Sequence, residues 1–106
     1  MSDVHVTSEK ILDAATSTGA GDDFRSPSER SFQAVGFTTA GSGSATVKIQ
    51  VSNDNQNWID LGTISLTLST TVATDGFASS AAWAFVRANL TAISGTGASV
   101  SVWMGF

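Results

Sequence analysis

The sequence predicts an all-β fold: a single antiparallel β-sandwich or jelly-roll-like domain of about seven short strands, with an irregular N-terminal arm. Apolar and polar residues alternate with a period of two in several segments, as expected for strands with one buried face. Residues typical of turns separate these segments at intervals of about ten residues, a spacing common in sandwiches. A chain of 106 residues is long enough to bury one hydrophobic core, so one domain is expected.

The N-terminal part, residues 1–28, is expected to hold one strand followed by the irregular arm. The first dozen residues predict the strand, and a helix over residues 9–16 is the alternative. Residues 13–28 are small and polar, with two glycines and the only proline, which is typical of a loop. Phe24, the large apolar residue of the arm, either packs on its own core or reaches a neighbouring subunit. Residues 29–106 are expected to form the sandwich core of the same domain. The apolar positions of the first strand are Val4, Val6, Ile11 and Leu12.

The segment 30–39, RSFQAVGFTT, predicts a strand whose two halves are out of phase. Phe32 and Ala34 fall on one face of this strand, and Val35 and Phe37 fall on the other. A β-bulge at Val35–Gly36 would bring both halves onto the core, since a glycine within a strand often marks a bulge. The next residues, AGSGS at 40–44, are expected to form a turn.

Two strands around a polar turn form the clearest pattern in the middle of the chain. Residues 45–52 alternate strictly, and residues 58–68 return. Between them, residues 53–57 read NDNQN, and such short polar side chains stabilise turns by bonding to their own backbone. A short strand over residues 70–80, with a turn at Asp75–Gly76, is expected to follow. The positions expected to face the core are Val47, Ile49, Val51, Ile64, Leu66 and Leu68.

Residues 81–106 predict a β-hairpin closed by Gly95-Thr96-Gly97. Two alternating runs flank this tripeptide, and its glycines supply the positive φ values that a tight three-residue loop requires. Pairing centred on Thr96 sets Leu90 against Val102 and places apolar pairs on one face. The same register directs three aromatic side chains to the opposite, nominally wet face: Trp83, Phe85 and Trp103.

Outward aromatic side chains make that face the predicted site of subunit contact. Each can bury on the order of 150–250 Å², and three of them exposed on a monomer would favour association. Arg87 lies on the same side, where it can pair with a carboxylate or stack on a ring. The alternative is a bulge that turns Trp83 and Phe85 into the core, whose inner face is rich in alanine. The candidate interface residues are Trp83, Phe85, Arg87, Trp103 and, from the arm, Phe24.

Composition and charge exclude several classes of function. Only 13% of the residues are charged, the net charge is −4 and the five basic residues are scattered, so nucleic-acid binding is not expected. Sparse charge is typical of protein surface that becomes covered, because interface cores are depleted in Lys, Glu and Asp. The absence of cysteine excludes disulfides and thiolate chemistry. No signal-peptide pattern or membrane-spanning apolar run is found, so cytoplasmic synthesis without membrane association is expected.

Residues able to carry out catalysis or bind metal are few and isolated. His5 is the only histidine, with no carboxylate at a spacing that suggests a fixed partner, so it is expected to be a surface residue. Asp54 and Asp60 belong to one hairpin, but turn aspartates commonly serve conformation. The oxygen-rich stretch 53–57 has one carboxylate and lacks the spacing of a calcium loop, which favours a turn. We expect no enzymatic activity, no cofactor and no metal.

Two segments resemble small all-β virion proteins of tailed bacteriophages. ATVKIQVSNDNQNWIDLGTISL combines a strand, a polar Ser-x-Asp turn and a Trp, and FVRANLTAISGTGASVSVWMGF combines a VRAN-like strand with a terminal hairpin. Together they cover about two fifths of the chain. The first segment is also similar to discoidin-like carbohydrate-binding domains, which share the strand, turn and Trp followed by a VR dipeptide. Those domains are longer and usually carry bracketing cysteines.

The bacteriophage resemblance implies a non-enzymatic structural protein of the virion. It implies a homo-oligomeric capsid decoration (cement) protein that stabilises the head lattice. The implied partners are other copies of the same chain and capsid or tail proteins. By analogy with decoration proteins, a homotrimer is expected. One alternative is a tail or fibre component. The other is a carbohydrate- or receptor-binding module, in which Trp58 or Trp83 would stack on a sugar ring.

Overall fold

The computed structural model describes residues 8–25 and 29–106, and within these ranges the chain forms nine β-strands and no helix. The all-β prediction is confirmed. The helix alternative for residues 9–16 is wrong, because β1 covers residues 9–15 of that segment and buries Ile11 and Leu12. The predicted strand positions Val4 and Val6 lie outside the described residues, as does His5. The strands are β1 (Ser8–Ala15), β2 (Gly19–Ala20), β3 (Phe24–Arg25), β4 (Arg30–Phe37), β5 (Ala40–Ser52), β6 (Ile59–Leu68), β7 (Ala73–Ser79), β8 (Phe85–Thr96) and β9 (Ser99–Gly105).

The strands form two antiparallel sheets. Sheet A has the order β1-β9-β4-β7, and sheet B has the order β2-β8-β5-β6, with β3 also paired to β8. The pairs are nested along the chain: β1 pairs with β9, β2 and β3 with β8, β4 with β7, and β5 with β6. Two further pairs, β4 with β9 and β5 with β8, complete the sheets. The chain therefore passes repeatedly from one sheet to the other.

Inward side chains from both sheets meet in one hydrophobic core. Alternation accounts for it, since every second residue of a strand points to the same side. All six inward positions predicted in β5 and β6 are buried. The largest fully buried side chains include Phe32, Ile49, Ile64, Leu68, Leu90 and Met104.

Strand β4 runs without a bulge, so the bulge predicted at Val35–Gly36 is wrong. Its pairing to β7 and to β9 is continuous in register. Gly36 takes the buried position, and Val35 and Phe37 point outward. A Cβ at Gly36 would lie 2.8 Å from Leu68 Cδ2 of the facing sheet. Glycine is therefore required at this position because the Leu68 side chain fills the space that a Cβ would take. Val35 and Phe37 remain on the outer face of the sheet.

The predicted C-terminal hairpin is wrong, because β8 and β9 belong to different sheets. Leu90 lies opposite Gly19 and Val47, whereas Val102 lies opposite Leu12 and Ala34. Both residues are nevertheless buried, because they face the core from opposite sides. Alternation indicates which side chains are buried. It does not distinguish a hairpin within one sheet from a connection between two facing sheets.

Two turns expected from glycine lie within strands. Residues 40–44 open β5, with an irregular register between Ala40 and Ser44. Asp75 and Gly76 are regular members of β7, opposite Ala34 and Gln33. A side chain at Gly76 would run into the Phe32 carbonyl oxygen of the adjacent strand. Glycine is therefore needed here because the two backbones lie close together, and not because the chain turns.

The N-terminal arm is less irregular than expected, because β2 and β3 both pair with β8. Phe24 lies opposite Val86 and packs against the core, which corresponds to the intramolecular alternative. The described residues on both sides of the predicted boundary at 28/29 thus contribute strands to the same two sheets.

Candidate functional site

Side chains on the outer face of sheet B form one hydrogen-bonded network centred on Gln50 of β5. Gln50 Nε2 donates to Asp60 Oδ1 of β6 at 3.0 Å, and Gln50 Oε1 accepts from Arg87 Nε of β8 at 2.9 Å. Asn89 Nδ2 donates to the same Oε1 at 3.3 Å, and Lys48 Nζ lies 3.2 Å from Asp60 Oδ2. We call these five residues the Gln50 network.

A bulge in β6 brings the members of this network together. Ile49 lies opposite Gly62, but Gln50 lies opposite Asp60, so Leu61 is an extra residue in β6. In a regular register without the bulge, Gln50 would face Leu61, and Asp60 would lie opposite Val51. Arg87 lies opposite Gln50 on the other side. Three strands thus present a guanidinium, an amide and a carboxylate in one row.

Trp58, just before β6, extends the network with an aromatic ring. The Arg87 guanidinium carbon lies 4.4 Å from the Trp58 ring centroid. Such a cation–π contact contributes on the order of 0.5–1 kcal/mol at an exposed site. Stacking on a ring was one of the two contacts expected of Arg87. Its Nε bond to Gln50 and its stacking on Trp58 together hold the guanidinium in one orientation.

Hydrogen bonding favours the ionised form of Asp60. The Gln50 amide, followed by the Lys48 ammonium, lowers the pKa of Asp60 below its usual value. A carboxylate in this state only accepts hydrogen bonds at neutral pH. The outer face of sheet B therefore combines an anionic acceptor, two cationic donors and two amides that do both.

The 53–57 segment forms the polar turn that the sequence predicts. Asp54 Oδ1 accepts the backbone N–H groups of Gln56 at 2.9 Å and Asn57 at 2.8 Å, and Oδ2 accepts from Asn57 Nδ2 at 2.8 Å. These bonds, with a further one from Ser52 Oγ, hold the pKa of Asp54 well below its usual range. Asn55 adopts a φ of 59°. The carboxylate thus serves the turn itself.

The outer face of sheet A has a different chemistry. Along β4, β7 and β9 its outward positions are all uncharged. Trp103 lies beside Gln33, and Val35 and Phe37 continue diagonally along β4. Phe37 is 39% exposed. We call Trp103, Val35 and Phe37 the Trp103 strip. The remaining outward positions of the three strands are Ser31, Gln33, Thr74, Gly76, Ala78, Ser99, Ser101 and Gly105.

The predicted interface residues do not share one surface, so that part of the prediction is wrong. Trp103 lies on sheet A, with Lys10 Nζ 4.6 Å from its ring centroid. Phe85 lies on sheet B under the Arg25 guanidinium, at 5.1 Å, and Arg87 is on the same sheet. Trp83 packs against the core, as the alternative interpretation predicts, although it precedes β8 and is not turned inward by a bulge in that strand. Phe24 also packs against the core. The separation follows from placing β8 and β9 in different sheets.

Sequence reasoning missed the Gln50 network. The alternation that turns Val47, Ile49 and Val51 inward also places Lys48 and Gln50 on the outer face, which indicates a polar surface there. Their partners Arg87 and Asn89 come from β8, which the sequence pattern assigned to β9 instead of β5. The bulge at Leu61, which aligns Asp60, is followed directly by Gly62, and a glycine within a strand often marks a bulge, so this signal was available in the sequence.

No arrangement of three or more His, Asp or Glu side chains suited to a metal ion occurs among residues 8–25 and 29–106. Nor does that part of the chain contain a helix long and apolar enough to cross a membrane. No family model, curated protein or solved structure matches this chain.

Proposed function

We propose that this chain is a non-enzymatic bacteriophage virion structural protein with a jelly-roll fold. In this role it associates with copies of itself and decorates a capsid, with a tail or fibre lattice as the alternative location. The observation that carries the proposal is the uncharged outer face of strands β4, β7 and β9 in sheet A, with its Trp103 strip. The sequence resemblance to small virion proteins supplies the biological setting.

The nested strand pairing supports a jelly roll, in which two sheets are packed face to face as a sandwich. A jelly roll has eight strands in two sheets, built from two Greek keys. If β2 and β3, which both pair with β8, are taken as one interrupted strand, eight strands result. The four nested pairs then correspond to one long antiparallel ribbon folded over. Jelly rolls are common in viral capsid proteins.

The chemistry of the sheet A face supports self-association. Interface cores are poor in charge and rich in aromatic residues, which describes the Trp103 strip and its neighbours of β4, β7 and β9. Lys10, at the edge of this face, is neutralised by Asp13 at 3.1 Å. A second copy laid on this face would therefore desolvate few charges. A closed homo-oligomer, with a trimer as the expected form, would cover the strip on every subunit.

Sedimentation velocity of the wild type and a Trp103→Glu variant tests this function. We expect the wild type to sediment as an oligomer and Trp103→Glu as a monomer, because the variant removes the aromatic contact area and places beside Lys10 a carboxylate that the interface would have to desolvate. Phe37→Glu is a second variant, at a position that is already exposed. Circular dichroism confirms that each variant is folded.

Phe85→Glu, on the outer face of sheet B, is the matched control and is expected to leave the oligomer intact. A wild type that sediments as a monomer at all concentrations would refute self-association. An oligomer that survives both sheet A variants but is lost in Phe85→Glu would move the interface to sheet B.

A further inference from the structure

The Gln50 network is preorganised for a ligand that both donates and accepts hydrogen bonds. The row of Arg87, Gln50 and Asp60 crosses three adjacent strands, a span of about 10 Å from two strand spacings. Each planar group in the row is fixed by at least one internal hydrogen bond. A ligand meeting side chains that are already ordered loses less conformational freedom on binding.

The chemistry of the row matches vicinal hydroxyl groups. A hydroxyl group is both a donor and an acceptor, and the face offers carboxylate acceptors at Asp60, guanidinium donors at Arg87 and both kinds at Asn89. Arg87 Nε is committed to Gln50, which leaves the terminal nitrogens Nη1 and Nη2 to face a ligand. A polyhydroxylated ligand can use all of these groups at once.

The charge of the Gln50 network disfavours a polyanion. Lys48 and Asp60 form an ion pair at 3.2 Å, so the network carries a formal charge of only about +1, contributed by Arg87. Binding to phosphate or sulfate chains depends on several uncompensated cations. A neutral ligand fits this balance better.

An apolar flank adjoins the polar row. Trp58 stacks on Arg87 at one end of this row, and its side chain is only half-buried. Sugar rings have an apolar C–H face and a polar rim of hydroxyls, so they require this combination of an aromatic flank and planar polar groups. We propose that the Gln50 network and Trp58 form a binding site for a neutral oligosaccharide. This site is on the opposite sheet from the Trp103 strip and is independent of the assembly function.

Binding of the full chain to an array of neutral bacterial and plant oligosaccharides tests this site. Heparin serves as the polyanionic probe. We expect at least one neutral oligosaccharide to bind, and titration calorimetry with it to show about tenfold or greater weakening in Gln50→Ala and in Trp58→Ala. Asn89→Ala removes a single 3.3 Å hydrogen bond and is the variant least able to disturb the fold. It is expected to weaken binding in the same direction.

Trp103→Glu is the matched control, because it changes a tryptophan on the other sheet, and its affinity per subunit is expected to equal that of the wild type. An array without a bound neutral oligosaccharide would overturn the proposal. Tighter binding of heparin than of any neutral glycan would do so as well, as would affinity that survives both Gln50→Ala and Trp58→Ala in folded protein.

Discussion

Asp54 shows how one side chain can fix a turn. Its two oxygens accept hydrogen bonds from backbone and side-chain N–H groups of the 53–57 turn, and Ser52 Oγ adds another. Ser52 Oγ in turn accepts the N–H groups of Asp54 and Asn55. This turn joins β5 to β6, which carry three of the five members of the Gln50 network. Conformation at residues 53–57 is therefore linked to the position of Asp60.

We expect Asp54 to stabilise the protein at neutral pH and to lose that effect in acid. Its pKa is lower in the folded protein than in the unfolded chain, so its contribution is complete above the unfolded value of about 4 and is lost as the pH falls further. Asp54→Asn should therefore lower the melting temperature at pH 7 and change it less at about pH 2. Thermal unfolding followed by circular dichroism at both pH values measures this. Asp22→Asn, at an exposed position, is the control, and an equal effect of Asp54→Asn at the two pH values would contradict the prediction.

Gly97 is required for two separate reasons. Its φ is 63°, in the left-handed region, and a Cβ there would run into the Thr39 side chain. Gly41 has a φ of 70° with open space around it, so it isolates the conformational cost alone. We expect Gly41→Ala to lower the free energy of unfolding by about 1–2 kcal/mol and Gly97→Ala by more.

Urea denaturation of both variants measures the difference, which reports the contact with Thr39. The double variant Gly97→Ala with Thr39→Ala should be less destabilised than the sum of its two single variants. Strict additivity, or equal effects of the two glycine substitutions, would show that Thr39 does not limit the space at residue 97.

At the scale of strands, the sequence predicts faces better than partners. Val47, Ile49 and Val51 are buried as their alternation predicts, because a side-chain period of two follows from backbone geometry alone. The partner of β8 depends on contacts between segments distant in the chain, and alternation contains no information about these. The error at Gly36 has another origin, since the space taken by Leu68 becomes known only when the sheets are placed face to face.

For the Trp103 strip and the Gln50 network, the sequence likewise predicts which side chains point outward but not which of them lie together. Outward positions of Trp103 and Gln50 follow from alternation. The grouping of Gln50 with Arg87 requires β5 and β8 to be neighbours, and the separation of Trp103 from Phe85 requires β9 to lie in the other sheet. Strand order thus decides which residues can act together.

The assignment of β8 and β9 to different sheets predicts a distinct set of NMR contacts. Cross-strand backbone NOEs should connect β9 to β1 and β4, for example Val102 to Ala34, and should connect β8 to β5, for example Leu90 to Val47. Backbone NOEs joining Leu90 to Val102 would instead indicate the hairpin. The Ala45 to Ile93 contact is a further check, since the register shift in β8 turns Ile93, and not Ala92, towards the core.

At the scale of the whole molecule, the two sheets divide two kinds of surface between them. Sheet A presents the Trp103 strip on the uncharged outer face of β4, β7 and β9, and sheet B presents the Gln50 network with Trp58. Because one core separates the faces, a surface substitution on one should not alter the chemistry of the other. An oligomer built through sheet A would leave every copy of the sheet B face accessible, and several copies on one assembly would bind a multivalent glycan surface more tightly than a single copy.

We therefore expect the effects of Trp103→Glu and Trp58→Ala to separate completely. Trp103→Glu should yield a monomer that binds a soluble oligosaccharide with wild-type affinity but is released faster from a surface coated with it, because avidity is lost. Trp58→Ala should remain an oligomer and lose affinity for both the soluble and the surface-bound oligosaccharide. Sedimentation velocity, calorimetry and surface binding on the same preparations measure the three quantities. If Trp58→Ala also dissociates the oligomer, or Trp103→Glu also abolishes binding of the soluble oligosaccharide, the two faces are not independent.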